Sequence, residues 1–519
     1  MWRAAINKPQ ARNTMQQRMY SAARGSRLTN TLGSANNSSA NSELHTSLAK
    51  LRSRSRQLIR DAAYAKRARQ IVVDNVIGTG IGMQPGVKGT RGELRKSVNE
   101  AIGNAFWDWC RAERCHTGGQ LHFCDMERQG MGQVFEAGEV LFRMHFTSFG
   151  DSPVPLALEL IEPERMADDY AEPGPVANGA RVIQGVEVDR FYRPVAYWIR
   201  QVHPGDLRSD ANTTDRLERV PADQIIHLRV VDRWPQVRGV PWMHSVIGKL
   251  ADIDGYSEAE IIAARAGAMY FGVIESTEDA GAFGEEQEDG TFQLPLEPAM
   301  VEKLSPGEKL NFVSPNRPNS SVDAFLRYML REMAAGIPGI SYESLSCDYS
   351  QSNYSSSRMA LLETRDAFRA IQQWFIREFR ERLHRVWLRQ AVLAGAIQGI
   401  TIPEYVADRS KFEAVAFKPR GWSWVDPTKE VEAFKEAVKA GFTTVTDVIA
   451  QTDPQGRDAD EVFDARKREL DDMDERDLSF DTSPENYEQK EPAPAPVAAP
   501  EAEPEESEDE PKRVVPLRR

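Results

Sequence analysis

The densest group of chemistry-bearing side chains in this 519-residue sequence is the run CRAERCHTGGQLHFC, which holds Cys110, Cys115, His116, His122 and Cys124. Thiolates and imidazoles are the usual zinc ligands, and in structural sites they come in closely spaced Cys-Cys and His-His pairs. Here the gaps are Cys-x4-Cys and His-x-Cys, which fit that geometry poorly. His122 and Cys124 alternate around Phe123 as strand residues do. The expectation is therefore of buried or edge thiols rather than a metal centre, and no cofactor is expected.

Other catalytic patterns are missing. There is no G-x-S-x-G and no H-E-x-x-H, and the eight histidines are scattered. Gly78, Gly80 and Gly82 in VIGTGIGMQP resemble a phosphate loop only superficially. No Gly-Lys-Ser/Thr follows, and the spacing is not that of a dinucleotide fold, so the segment reads as a turn that needs glycine. Paired acids such as Asp471-Asp472 lie in charge-rich helical sequence and read as a solvated face. Without a Walker motif the chain is not expected to hydrolyse ATP, and it reads as a structural or interaction protein, not an enzyme.

Composition sets further bounds. The length allows two or three domains with sizeable cores. Four cysteines in so long a chain suit a reducing compartment rather than a disulfide scaffold. No run of uncharged apolar residues is long enough for a membrane span, so no membrane partner is expected. The net charge of −13 hides an asymmetry. Residues 1–70 carry 14 Lys+Arg against 2 Asp+Glu, whereas residues 452–519 carry 10 against 22. The start reads as a flexible basic arm with a polar linker, LGSANNSSANSE, although an Arg-rich transit peptide has similar composition. Such an arm can touch nucleic acid or an acidic neighbour. The Pro/Ala-rich acidic end reads as a disordered, solvating tail.

Between these ends the pattern is mixed, giving an α+β fold class. A helix is expected from Ser47 to about Val73. Strands are expected at GEVLFRMHF, with Val140, Phe142, Met144 and Phe146 on one face, and at LALELIE and QIIHLRVV. Two more are expected in GVEVDRFYRPVAYWI, joined by a turn at Arg193-Pro194. A helix is expected from Pro241 to about Val273, then an exposed loop with short strands, then a helix from about Ser320 to Ala335 stopped by Pro338 and Gly339. A long helix follows, to about Leu393, with Phe368, Ile371, Phe375, Phe379, Leu383 and Val386 as its apolar stripe. Helices from about Pro427 and from Thr444 or Thr446 come last.

The stretch DYSQSNYSSSRMALLE raises a separate question, because a run of neutral hydroxyls and amides feeds straight into that long helix. Asn353 or one of Ser355 to Ser357 is positioned to cap it. From Ser341 through Ser357 there is no Lys or Arg.

Taken in order, several segments resemble the portal proteins of lambda-type tailed bacteriophages: VIGTGIGMQP, FCDMERQGMGQVFEAGEVLFRM, GVEVDRFYRPVAYWI, HPGD, VPADQIIHLRVVDRWPQVRGVPWM with Arg233, Gln236, Arg238, Gly239 and Pro241, AAGIPGISYESLSCDYSQSNYSSSRMALLE, and DPTKEVEAFKEAVKAGFTT. The likeness covers roughly residues 50–475 and leaves out the arm and tail. It implies a homo-oligomeric ring, commonly of twelve copies, at one capsid vertex of the virion, assembled in the bacterial host cytoplasm. Double-stranded DNA would be packaged and ejected through its channel. The implied partners are the terminase large subunit, the major capsid and scaffold proteins and head-tail connector proteins.

The implied layout is an arm at 1–47, a β-rich wing at 48–240, a first stem helix at 241–274, a clip at 275–318 and a second stem helix at 319–337. A channel loop at 338–356, a long wing helix at 357–398, a helical crown at 399–476 and a tail at 477–519 complete it. The channel surface would be Ser341, Tyr342, Glu343, Asp348, Tyr349, Ser350, Gln351, Ser352, Asn353, Tyr354 and Ser355, which can exchange weak hydrogen bonds with sliding DNA without gripping phosphates. An ordinary polar loop with a helix cap accounts for the same composition. The clip acids Glu285, Glu286, Glu288 and Asp289 would dock a motor or connector, or form a solvated hairpin tip. A DNA-processing enzyme of the packaging apparatus would need a nucleotide or metal motif that is not found, and a scaffold or other head component fits the mixed body poorly.

Overall fold

The computed structural model describes residues 37–89, 92–170, 179–206, 216–268, 322–351, 353–422, 427–452, 459–476 and 478, and four strands between 271 and 313. The arm up to residue 36, the tail beyond 478, Ser352, Glu288 and Asp289 lie outside them. The chain divides into two compact units, Met1–Arg457 and Asp458–Arg519.

The first unit opens with α1 (Ala40–Asp61) and α2 (Ala63–Val76), followed by β1 (Gly82–Pro85), α3 (Lys96–Trp109), α4 (Ala112–Cys115) and α5 (Phe123–Ala137). The expected single helix is thus two, and it starts earlier, inside the supposed linker. Ser39 accepts a hydrogen bond from the Ser42 amide and caps α1, and the extended backbone at Ala62 separates the pair. The glycine turn is real: Gly78 and Gly80 adopt φ of 62° and 125°, which a side chain would resist. His122, expected on a strand, instead caps α5 through its ring nitrogen.

Seven strands come next: β2 (Glu139–His145), β3 (Ala157–Ile161), β4 (Arg181–Ile183), β5 (Val186–Val188), β6 (Pro194–Arg200), β7 (Leu217–Pro221) and β8 (Ile225–Arg229), with β1 standing apart from the two sheets they form. One sheet has the order β3-β2-β8 and the other β4-β5-β6-β7, all antiparallel. On β2, Val140, Phe142 and Met144 enter the main core, while Leu141 enters a smaller one with Val186, Val188, Tyr197 and Ile199. Both faces of β2 are therefore covered. Phe146 does not continue the inward stripe, because the strand ends at His145 and leaves the ring 41% exposed. The β5–β6 turn falls before Pro194: Asp189 accepts from the amides of Phe191 and Arg193, and Pro194 already faces Val188 on the strand.

The helix expected from Pro241 is α6, Ile247–Ala268. Residues 241–246 form turns instead, pinned where the Trp242 amide donates to the Phe135 carbonyl and Met243 is buried. By Phe271 the chain is extended: β9 (Phe271–Ser276) pairs with β12 (Glu308–Val313), and β10 (Glu285–Glu286) with β11 (Phe292–Gln293). Then come α7 (Val322–Gly336), α8 (Tyr342–Ser346), α9 (Tyr354–Phe375), one π-helical turn (Ile376–Arg380) and α10 (Glu381–Leu393). The run from Tyr354 to Leu393 is roughly 60 Å at 1.5 Å per residue. None of its described side chains is buried before Phe368, so its first turns leave the body. After α11 (Ile402–Ala407) and α12 (Arg409–Phe412), β13 (Val415–Lys418) pairs with β1, so no structural break falls at 399. The unit ends with α13 (Pro427–Lys439) and α14 (Val445–Thr452), the latter capped by Thr444 and Asp447 in reciprocal bonds. The second unit contributes α15 (Ala459–Glu475). Among the described residues no helix is long and apolar enough to cross a membrane.

The main core gathers Phe106, Trp109, Phe123, Phe142, Phe379 and Trp387, and encloses two ion clusters. In one, Arg380 on the π turn pairs with Glu127 of α5 and donates to the Ile81 carbonyl at 2.8 Å. In the other, the fully buried Glu139 accepts from Arg238, from His227 at 2.9 Å and from the Gly239 amide at 2.7 Å. Asp168 bridges the same Arg238 to Arg52 of α1. Burial alone would raise the Glu139 pKa, but the Arg238 charge, the His227 hydrogen bond and the Arg52 charge hold it well below the usual carboxylate range. Arg229 can only donate to Nδ1 of His227, so the proton sits on Nε2 and points at Glu139.

Two outcomes follow from these buried groups. Arg238→Met removes the largest charge partner of the buried Glu139 and is expected to cost about 3–5 kcal/mol in urea unfolding. Burial also pushes His384 down to about 4 from 6.5, and among the described residues both its ring nitrogens lack a partner. Between those values the unfolded chain binds a proton that the folded chain refuses, so stability falls as pH drops from about 6.5 to about 4. His384→Phe should raise the urea midpoint at pH 7.5 and raise it further at pH 5.

Candidate nucleic-acid interface

The stretch from Ser341 to Ser357 is more ordered than its composition suggests. Ser341 caps α8 by accepting from the Ser344 amide, and the Ser344 hydroxyl lies 3.2 Å from the Ser341 amide, a reciprocal box closing a helix of one turn and a little more. Ser346 accepts from the Asp348 amide at 3.1 Å. Cys347 turns the chain with a left-handed φ of 57° and is exposed. Asp348 accepts from the Tyr342 hydroxyl at 2.8 Å and from the Ser350 amide at 3.0 Å. Those bonds, Ser350 first, with Arg327 nearby, hold Asp348 down at about 2. Asn353 is the cap of α9, accepting from the Ser356 amide at 2.9 Å.

The expected surface residues therefore divide. Ser341, Tyr342 and Asp348 spend their polar atoms on the loop itself. Tyr349, Ser350 and Gln351 are exposed, and Glu343 is half-buried. Tyr354 and Ser355 lie in the first turn of α9. Glu285 and Glu286 lie on β10, opposite Gln293 and Phe292.

What the sequence reading missed is the company the loop keeps. Three arginines from other elements surround it. Arg67 of α2 donates through Nε to the Ser344 carbonyl at 3.2 Å. Arg327 of α7 lies 3.5 Å from Asp348 and 3.0 Å from Asp323. The guanidinium carbon of Arg331 of α7 lies over the Tyr342 ring, 5.1 Å from its centre. A stretch without Lys or Arg is not a neutral surface. No pattern local to 341–357 could reveal this, because residues 67 and 331 meet the loop only through the packing of α2 and α7 against α8.

The cysteine run is occupied by structure. Cys110 and Cys115 are buried, and burial pushes the thiols of Cys115 and Cys124 up to about 12 and about 11, so they stay protonated. The His116 ring nitrogen accepts from the Gln120 and Leu121 amides. Among the described residues, Glu162, Glu164 and His203 bring ligand atoms within 4.8 Å of one another, but Arg56 already donates to both carboxylates at 2.9 Å.

The architecture is that of an α+β structural subunit with two antiparallel sheets, a helix pair separated by a strand-rich excursion, and a polar loop ahead of a long helix. A family profile described as phage portal protein, lambda family, matches residues 25–372. A probable portal protein of Halomonas phage phiHAP-1 is 30% identical over 456 residues, 86% of this chain and 85% of that protein. Portal protein B of Escherichia phage lambda is 22% identical over 449 residues, covering 80% and 82%. A chain in the neck of a native gene transfer agent particle, computed with C12 symmetry, overlays with a TM-score of 0.44 at 14% identity, covering 77% of this chain and 94% of its own, a likeness too loose to bear on function. The chain belongs to the lambda family of phage portal proteins. It is a viral structural protein whose ring serves DNA packaging and ejection.

Asn353→Ala should remove the cap and cost about 0.5–2 kcal/mol in the first turn of α9. Hydrogen exchange at the Ser356 amide should then speed up severalfold, while Asn353→Asp should preserve the slow rate.

Proposed function

We propose that this chain forms a ring of about a dozen copies at the portal vertex of the capsid, with the loop at 338–356 facing the channel. The observation that carries this reading is the placement of Tyr349, Ser350 and Gln351, all exposed, between a helix returning from the strand-rich segment and the cap of the long helix. In it, α6 and α7 are the stem and the strands β9 to β12 between them the clip. The long helix at 357–398 crosses the wing, and residues 399–476 build the crown, with 399–422 also tied to the wing through β13. Met359, Leu361 and Leu362, exposed where α9 leaves the body, are faces for the neighbouring copy.

The clip acids, Glu285 and Glu286 with Glu288 and Asp289, are the docking surface for the terminase large subunit and then for head-tail connector proteins. The wing meets the major capsid and scaffold proteins, and assembly takes place in the bacterial cytoplasm. DNA passes without sequence readout. The hydroxyl and amide groups of the loop that are already bonded within it support a preformed, low-affinity surface rather than a gripping one.

The exposed Cys347 offers a native probe. The purified protein should run as a ring by native mass and electron microscopy, and a bulky maleimide should label Cys347 more slowly once a linear duplex has threaded the ring. A protein that stays monomeric at high concentration, or a Cys347 equally reactive with and without duplex, would count against this placement.

A further inference from the structure

We infer that Arg67 and Arg331 are phosphate-contacting residues that set how firmly the loop holds passing DNA, an inference that rests on the channel placement just proposed. The stretch 341–357 supplies only acids, Glu343 and Asp348, and would repel a polyanion by itself. The fold sets cations around it. Arg327 is committed, since Asp323 and Asp348 both lie against its Nε. Arg67 and Arg331 are not: both are exposed, and among the described residues neither has a carboxylate within ion-pair distance.

Each is nonetheless held in place. The Nε of Arg67 donates to the Ser344 carbonyl at 3.2 Å, at the middle of α8. The guanidinium of Arg331 lies over the ring of Tyr342, the first residue of α8. A cation–π contact restrains a guanidinium over the ring without using up its N–H donors. A planar fork with free edge donors is the geometry that matches two phosphate oxygens at once. A lysine would bring the charge without the fork.

The two cations offset Glu343 and Asp348, so each subunit presents little net charge beside a pair of pre-positioned phosphate donors. Contact is then exchangeable in one subunit and additive around a ring. This differs from the surface the loop's own composition describes: the hydroxyls do not replace phosphate contacts but surround them.

The salt dependence of duplex binding tests this. Each lost phosphate contact flattens the slope of log affinity against log salt by about 0.9. Assembled rings of R67A/R331A, confirmed intact by native mass, should bind a linear duplex with a slope shallower by about two units or more. Affinity near 0.1 M salt should fall at least about tenfold. R67K/R331K should recover part of the affinity, since charge returns without the fork. Protection of Cys347 from maleimide by duplex is read on the same samples. An unchanged slope with Cys347 still protected would overturn this inference and leave the channel placement standing. Loss of protection in the unmodified ring would overturn both.

Discussion

The body of the subunit depends on one buried carboxylate. Glu139 has no exposed surface, and it stays charged because Arg238, His227 and the Gly239 amide surround it while Arg52 stands behind. Those partners come from α1, β8 and the loop before α6, so a single ionised group fixes how the first helix, the three-stranded sheet and the entry to the stem helix meet. Two glycines make the geometry possible. Gly138 and Gly239 pass so closely that a Cβ on Gly239 would come within 2.1 Å of the Gly138 carbonyl oxygen. That approach delivers the Gly239 amide to Glu139. A buried ion pair of this kind contributes little net stability against an apolar replacement, yet it tolerates only one arrangement of its neighbours.

A second buried pair does comparable work farther along. Arg380 and Glu127 tie α5 to the long helix at its π-helical turn, and the Arg380 guanidinium lies 4.7 Å from the centre of the Phe123 ring. From that turn to Val392 one face of the helix, with Leu383, Trp387, Leu388 and Ala391, is core. From Tyr354 to Ala367 the helix lies at the surface, with no described side chain buried, and carries exposed apolar residues. The anchored half and the projecting half belong to one helix, so the position of the polar loop at its start is set by ionic contacts tens of ångströms away along the axis.

Much of this was legible residue by residue. The capping role of Asn353, the glycine turn at Gly78 and Gly80, the strand at Val140–Met144 and the stops at Pro338 and Gly339 follow from short-range chemistry that any chain obeys. Three local expectations fail, each for its own physical reason. Pro241 suits a first helical turn by local preference, but the bond to the Phe135 carbonyl and the burial of Met243 hold that segment in turns. His122 alternates with Cys124 as strand residues do, but its ring accepts from the Cys124 amide and caps α5. Phe146 shares the alternation of Val140, Phe142 and Met144, but the strand ends at His145. Only at Pro241 did a partner distant in sequence outweigh a local preference; the partner of His122 is two residues on, and Phe146 lies past the end of its strand.

The sequence by itself determined the α+β class, the order of most elements, the lack of a nucleotide or zinc motif, and the family, because local propensity and the ordered set of motif residues are properties of the chain. It also marked Arg233, Gln236, Arg238 and Gly239 without saying why. Only the tertiary structure decided that Arg238 and Gly239 hold Glu139, and that Gln236 donates to the Arg238 carbonyl at 2.7 Å. Only the tertiary structure brought Arg67 and Arg331 to the loop at 341–357. Charge acts through space, and the residues that set the potential at that loop are separated from it along the chain by folded elements whose packing no local pattern encodes.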